Sequence, residues 1–207
     1  MRIFTMLLLT LVLLAATSAV FVWSGVYEIG ADRPHWALTE QAISSLRDRS
    51  IERQARGITV PDLDDPQRIR RGAEHYAEMC AACHLTPGMR ETELRTGLYP
   101  QPPDLSKHGV HDAAAAFWVI KHGVKLTAMP AWGLSHDDAA IWDMVAFVRK
   151  LPTLDEATFE TMAGVPVNNG HGGHEHHHHD EAGAQDQHEA NESHDGDDRD
   201  HDDHGSH

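Results

Sequence analysis

Residues 80–84 read Cys80-Ala81-Ala82-Cys83-His84, and this short stretch determines the fold expected for the chain around it. It contains the only two cysteines among the 207 residues, three positions apart and followed directly by a histidine. Two cysteines are too few for a small domain stabilised by a disulfide framework. The chemistry of the stretch is therefore expected to lie in what these three side chains bind.

The spacing Cys-x-x-Cys-His is that of covalent attachment of c-type haem. Two thiols three residues apart can add to the two vinyl groups of one haem, and His84 is then held under the iron as its proximal ligand. A redox dithiol would need a thioredoxin-like βαβ setting, and structural zinc would need a second ligand pair; the sequence has neither. A disulfide over so short a loop would add little. We therefore predict haem c on Cys80, Cys83 and His84.

Helix-start signals lie on both sides of this motif. Asp65-Pro66 is typical of an N-cap and first helical position, Asp112 of an N-cap, and Ser135-His136-Asp137-Asp138 of a capping-box-like start. No convincing alternating strand is present, so the domain at 66–151 is predicted to be all-α. Its 86 residues make a thin core unless a large apolar group fills it. The expected helices cover residues 66 to about 81, 113–122 and 135–151.

A sixth iron ligand is expected in the second half of this domain. Met129, followed by Pro130, lies in a loop between two predicted helices, 45 residues after His84. A thioether there would complete His/Met ligation, which raises the reduction potential and suits electron transfer. Met144 is expected in the core, and Met89 is too close to the attachment motif. The remaining rivals are His108, His111, His122 and His136.

Further motifs carry a family resemblance. They are Gly72-x-x-x-Tyr76-x-x-x-Cys80, the helix 144–150 with Phe147 at its aromatic position, and the segment from Ile120 to Gly133 that contains Met129-Pro130. With the attachment motif, they resemble single-haem class I cytochromes c, in the group related to haem subunits of bacterial terminal oxidases. The resemblance implies that Gly72 lets the last helix cross closely. It also implies that Pro103, in Pro102-Pro103-Asp104-Leu105, accepts a hydrogen bond from the proximal imidazole through its carbonyl.

Residues 1–27 are predicted to anchor the chain in a membrane. The 25 residues from Ile3 to Tyr27 carry no charge, and as a helix they would extend about 37 Å. A cleavable signal peptide is the competing interpretation, with Thr17-Ser18-Ala19 as its cleavage site, but the apolar run continues through Trp23. Arg2 favours a cytoplasmic start. We expect a single-pass protein of the bacterial inner membrane with its haem domain in the periplasm.

The segments around the haem domain are expected to be accessory. Residues 28–65 are interpreted as a helical neck, a solvated spacer between membrane and domain, and residues 152–167 as a linker. Of the haem-domain side chains, five are candidates to surround the porphyrin: Trp118, Leu126, Trp132, Trp142 and Phe147.

Residues 168–207 form a tail of very different composition. They carry 12 of the 32 acidic residues, 11 of the 18 histidines and one of the 17 bases, and so most of the net charge of −15. Without aromatic or large aliphatic residues, the tail is expected to be disordered. Many imidazoles beside carboxylates would suit Zn(II), Ni(II) or Cu(II). The candidate ligands are His171, His174, His176, His177, His178 and His179.

The excess of acidic residues argues against binding to nucleic acid. We predict an electron carrier rather than an enzyme, exchanging electrons with protein partners such as a quinol-oxidising complex, an oxidase or a dehydrogenase. Two alternatives stay open: a haem subunit of a larger oxidoreductase or terminal oxidase, and a metal-handling protein that uses its tail.

Overall fold

A computed structural model describes residues 1–164, and within that range the chain forms helices, turns and loops without a β-strand. The all-α prediction is confirmed. The predicted tail 168–207 and its candidate metal ligands lie outside the described residues. The helices are α1 (Arg2–Ser24), α2 (Ala37–Ala55), α3 (Pro66–Met79), α4 (Ala81–His84), α5 (Glu93–Thr96), α6 (Leu105–His108), α7 (Ala113–His122), α8 (Asp138–Lys150) and α9 (Glu156–Ala163), with 3₁₀ turns at Trp132–Leu134 and Leu151–Thr153.

The long helices of the domain begin where side chains cap them. Asp65 accepts a hydrogen bond from the backbone of Gln67 at the start of α3, and Asp112 accepts two at the start of α7. Helix α7 ends at Gly123, whose φ of 66° favours glycine. Asp137 caps α8, so this helix starts slightly later than its sequence signal suggested.

Helices α3 and α8 cross at the centre of the domain, and Gly72 lies at the crossing. A Cβ placed on Gly72 would lie 2.8 Å from the Cβ of Phe147 and 2.6 Å from the backbone carbon of Asp143. The backbones can approach this closely only because residue 72 has no side chain. The expectation that Gly72 permits a close crossing therefore agrees with the structure.

A buried carboxylate also joins these two helices. Asp143 on α8 accepts two hydrogen bonds from Arg71, one from its Nε at 2.6 Å and one from its Nη2 at 3.3 Å. Arg68, one turn earlier on α3, places a guanidinium nitrogen 3.0 Å from the same carboxylate. Two arginines thus compensate one charge that is almost entirely removed from water.

Residues 152–167 are predicted to be a linker, but the part of this segment that the structure describes, up to Gly164, contributes a helix to the core. Helix α9 packs against α3, and its Phe159 is fully buried. The Phe159 ring meets those of Tyr76 and Phe147 at centroid distances of 6.2 and 5.9 Å. The physical reason is that α3 and α8 leave an apolar surface open, and Phe159 covers it.

The neck also differs from a solvated spacer. Helix α2 contacts α7, and Ala55 near its end is buried. Further along the neck, Leu63 is buried in a cluster with Phe117 and Trp142 of the haem domain. The second half of the neck is therefore packed as part of the domain.

Helix α1 is long and apolar enough to cross a membrane, a property that a signal sequence near an N-terminus would share. Its side chains are exposed in the structure. Near its end, Tyr27 lies among the rings of Phe21, His35 and Trp36. Aromatic rings of this kind favour the interface between lipid and water. Helix α1 is a candidate membrane anchor.

Candidate functional site

A cavity of about 620 Å³ opens between the helices of the domain, beside the Cys-x-x-Cys-His motif. Its walls are formed by one face of α2, by the end of α3, by α4, by the loop at 100–105, by the segment 110–112 and α7, and by the loop that follows α7. Most of the lining is aliphatic, as expected of a site for a large apolar cofactor. The cavity brings together all five sequence-predicted site residues of the haem domain: Cys80, Cys83, His84, Pro103 and Met129.

The two cysteines are free thiols at the junction of α3 and α4. Burial raises the pKa of Cys80 to about 12, with a further contribution from the neighbouring Cys83, and burial also raises the pKa of Cys83. A redox dithiol needs a stabilised thiolate and therefore a lowered pKa. The surroundings of these thiols therefore disfavour disulfide exchange.

His84 is oriented by a hydrogen bond to the next wall of the cavity. Its Nδ1 lies 3.0 Å from the carbonyl oxygen of Pro103, and since a carbonyl only accepts, Nδ1 carries the proton. Burial lowers the pKa of His84, opposed by the Pro103 hydrogen bond and assisted by the charge of Arg95. The ring is therefore neutral near pH 7, and its Nε2 has a lone pair available for a metal.

The loop that carries Pro103 is itself held by charged side chains. The buried Arg95 donates to the carbonyl of Pro102 at 3.0 Å and to Glu91 at 2.7 Å. Asp104 caps α6 and accepts from Lys107 Nζ at 2.7 Å. Sequence reasoning missed Arg95, because nothing local to residue 95 indicates that the 102 carbonyl is its partner.

Met129 lies in the loop after α7, partly buried on the cavity wall. Its backbone nitrogen donates to Thr127 Oγ1 at 3.1 Å, and its carbonyl accepts from the Val124 nitrogen at 3.2 Å. Gly123 makes room for this turn, since a Cβ there would lie 2.7 Å from the Met129 oxygen. The loop conformation is thus held by local bonds.

The other candidates for the sixth iron ligand differ in whether they line the cavity. In the described part of the chain, His111 lines the cavity, whereas Met89, Met144, His108, His122 and His136 do not. Met144 is buried in the core, as expected. Met79, which sequence reasoning did not consider, also lines the cavity; its position directly before Cys80 was the available signal.

Only one of the five side chains expected around the porphyrin lines the cavity, namely Trp132. Trp142 and Phe147 are buried in the core instead, with Trp142 stacked on Phe117 at 4.2 Å. Leu126 is 89% exposed, and its φ of 61° lies in the left-handed region. Aliphatic residues from α7, including Val119 and Ile120, supply the wall instead.

No cluster of three or more histidine, cysteine or acidic side chains able to hold a metal ion occurs within residues 1–164. Zinc, nickel or copper binding by the tail histidines 171, 174 and 176–179 remains a prediction, since those residues lie outside the described range.

The donor set fits haem c: two thiols, a neutral imidazole and a thioether are arranged on one apolar cavity. The family of cytochrome c oxidase, cbb3-type, subunit III matches residues 67–148. No solved structure matches the chain. This match indicates that residues 67–148 are a class I c-type cytochrome domain related to cbb3 oxidase subunits, and a domain of this kind implies haem c as the cofactor.

Proposed function

We propose that this chain transfers electrons through one covalently attached haem c, whose iron His84 and Met129 would bind. The observation that carries the proposal is that both residues line one apolar cavity together with the two cysteines. When bound, the haem supplies one-electron exchange between ferrous and ferric iron.

The residues of the chain have distinct roles in this proposal. Cys80 and Cys83 would hold the cofactor by thioether bonds. The Pro103 carbonyl orients His84 through the 3.0 Å hydrogen bond and makes its Nε2 a better donor to iron. A thioether ligand and an apolar wall both favour the ferrous state, because the less charged form of the site is easier to accommodate in a poorly polar environment.

The chain acts as a carrier rather than as an enzyme. Electron exchange requires a cofactor edge that partners can approach, and the exposed Leu126 and Leu134 flank the Met129 loop at 89% and 92% exposure. Exposed apolar side chains of this kind are candidates for the surface on which a redox partner docks. The proposed partners are a quinol-oxidising complex, an oxidase or a dehydrogenase.

Helix α1 is proposed to anchor the domain to the outer face of a bacterial inner membrane. The uncharged run from Ile3 to Tyr27 and the aromatic cluster around Tyr27 support this placement. Fractionation of cells that express the full chain tests it. The placement is supported if the haem protein is found in the membrane fraction and its haem domain is digested by protease added to spheroplasts. A soluble haem protein of reduced mass contradicts it.

Covalent attachment is the first thing to test. The full chain is expressed with the c-type maturation machinery, and haem is extracted with acidified acetone. We expect the haem to stay with the protein, and Cys80→Ala/Cys83→Ala to lose it. Extraction of all haem from the unaltered chain would overturn the proposal.

Axial ligation is tested on the same preparation. Ferric haem with a methionine ligand has a weak charge-transfer band in the far red, which Met129→Ala should lose. Met89→Ala is the matched control, since Met89 does not line the cavity in the described part of the chain. If the band persists in Met129→Ala, Met79→Leu identifies whether the other methionine of the cavity is the ligand.

A second candidate function is that of a haem subunit in a larger oxidoreductase. The match to a subunit family of cbb3-type oxidase favours it. Solubilisation of native membranes in a mild detergent separates the two. A stoichiometric partner that copurifies selects the subunit, and a reducible single chain selects the carrier.

A further inference from the structure

The cavity wall is strongly deficient in positive charge. Among the residues within 1–164 that line it, Arg47 is the only arginine or lysine. The other charged or titratable side chains there are Cys80, Cys83, His84, His111 and Asp112. His84 is hydrogen-bonded to the Pro103 carbonyl and is the proposed iron ligand. The Asp112 carboxylate accepts hydrogen bonds from the backbone of α7.

Haem brings two propionate carboxylates to any site that binds it. A carboxylate moved out of water is strongly unfavourable unless a cation or several donors compensate it. Arginine is well suited to this because its planar guanidinium can donate two parallel hydrogen bonds to one carboxylate. The one arginine of the wall is therefore the natural partner for a propionate.

Arg47 comes from α2, which lies outside the residues matched by the cytochrome family. Helix α2 is nevertheless held against the haem domain on both sides of Arg47. Before it, the His35 backbone nitrogen donates to Tyr99 Oη at 3.1 Å, and the two rings meet edge to face. After it, Ala55 is buried, and Leu63 lies in the domain core.

The side chain itself is available for a ligand. Arg47 is 39% exposed, and its Nε donates to Asp48 Oδ1 at 2.7 Å. The contact with Asp48 restrains the guanidinium while leaving its two terminal amino groups to bind another acceptor. One turn along α2, Ile51 lines the cavity too, so this face of the helix offers a cation next to an apolar contact.

We propose that Arg47 binds a haem propionate, which makes α2 a wall of the haem site rather than a spacer. The inference rests on the proposed function, since it needs haem in the cavity. Arg47 is a positioning residue: it holds the propionate edge and places a positive charge near the iron. A positive charge there disfavours ferric iron, so Arg47 raises the reduction potential.

The test uses the full chain with its haem attached and a redox titration of three variants. Arg47→Gln removes the charge, Arg47→Lys keeps it, and Arg49→Gln is the matched control. Arg49 is on the same helix, is 85% exposed and is paired with Glu52. We expect Arg47→Gln to lower the ferrous-to-ferric ratio at a fixed potential about tenfold, equivalent to about 59 mV for a one-electron couple.

Arg47→Lys should recover much of this shift, and Arg49→Gln should show little of it. The propionate bending band in the resonance Raman spectrum should move in Arg47→Gln and not in Arg49→Gln. If Arg47→Gln does not retain haem, Arg47→Lys provides the test instead. Its propionate bending band should also be displaced, since a lysine cannot make the bidentate hydrogen bonds of an arginine.

Equal potentials and Raman bands for Arg47→Gln and Arg49→Gln, with haem covalently retained, would overturn the inference and leave the proposed function intact. Failure of the unaltered chain to retain haem would overturn the proposed function itself. The two failures are therefore distinguishable from one preparation.

Discussion

The phenol of Tyr76 donates a 2.5 Å hydrogen bond to the backbone carbonyl of Leu85, the residue that directly follows His84. Both residues are buried, and Leu85 has a φ of 64°, which a leucine adopts only when its surroundings enforce it. Tyr76 belongs to α3, so the bond ties the end of the haem-attachment motif to the central helix. The position of the proximal imidazole is therefore supported from two sides, by Tyr76 through Leu85 and by Pro103.

Tyr76→Phe should destabilise the domain by about 1–2 kcal/mol, because the Leu85 carbonyl would lose a buried partner. The ring contacts with Phe147 and Phe159 would remain. Denaturant unfolding of the haem-loaded protein, followed by circular dichroism, measures the loss. An unchanged midpoint and slope would show that the hydrogen bond contributes nothing to stability.

Gly72→Ala should destabilise the domain by about 2 kcal/mol or more, because the new methyl group overlaps α8. Helix propensity alone would favour alanine by about 1 kcal/mol, so the sign of the change reports the close crossing. Gly97→Ala is the matched control: φ there is −86°, and the nearest described atom is 3.8 Å from the added Cβ. Thermal unfolding gives the change in melting temperature for both variants. An equal change in the two would argue against the close crossing of α3 and α8.

Phe159→Ala should destabilise the domain by about 3 kcal/mol, since it leaves a cavity beside Tyr76 and Phe147. A true linker would tolerate this change. Thr161→Ala, on the exposed side of the same helix, is the control and should have little effect. Denaturant unfolding of both variants at one pH measures their free energies of unfolding. If Phe159→Ala leaves this free energy unchanged, the linker interpretation is correct.

The stability of the domain should fall in acid partly through Asp104. Burial acts to raise the pKa of Asp104, but hydrogen bonds from Lys107 and Ser106 outweigh it and lower the pKa below the ordinary value of 3.8. A lowered pKa in the folded state means that this carboxylate stabilises the fold above pH 3.8. That contribution disappears as the pH falls through the lower, folded-state value.

Asp104→Asn should therefore be less stable than the unaltered chain at neutral pH, and the difference should narrow in acid. Free energies of unfolding measured from pH 7 down to pH 3 check this, with Asp138→Asn as a control carboxylate that is largely exposed. A constant difference across the range would exclude Asp104 as a source of the acid sensitivity.

Local signals in the sequence were enough for much of the fold. Asp65-Pro66, Asp112 and Gly123 mark helix ends because capping depends on a few consecutive residues. Cys80, Cys83 and His84 identify the attachment site for the same reason, since their spacing alone sets the geometry. Helix α9 was missed although Asp155 caps it, because its few apolar residues resemble those of a linker.

The sequence by itself determined the helical class, the attachment motif and the candidate anchor, all of which depend on residues close together along the chain. Tertiary structure alone decided that Phe159 completes the core, that Arg95 holds the Pro102 carbonyl, and that α2 brings Arg47 to the cavity. These relationships depend on packing between elements. Which apolar surfaces meet, and which charges come to rest on the cavity wall, is set by the whole folded chain.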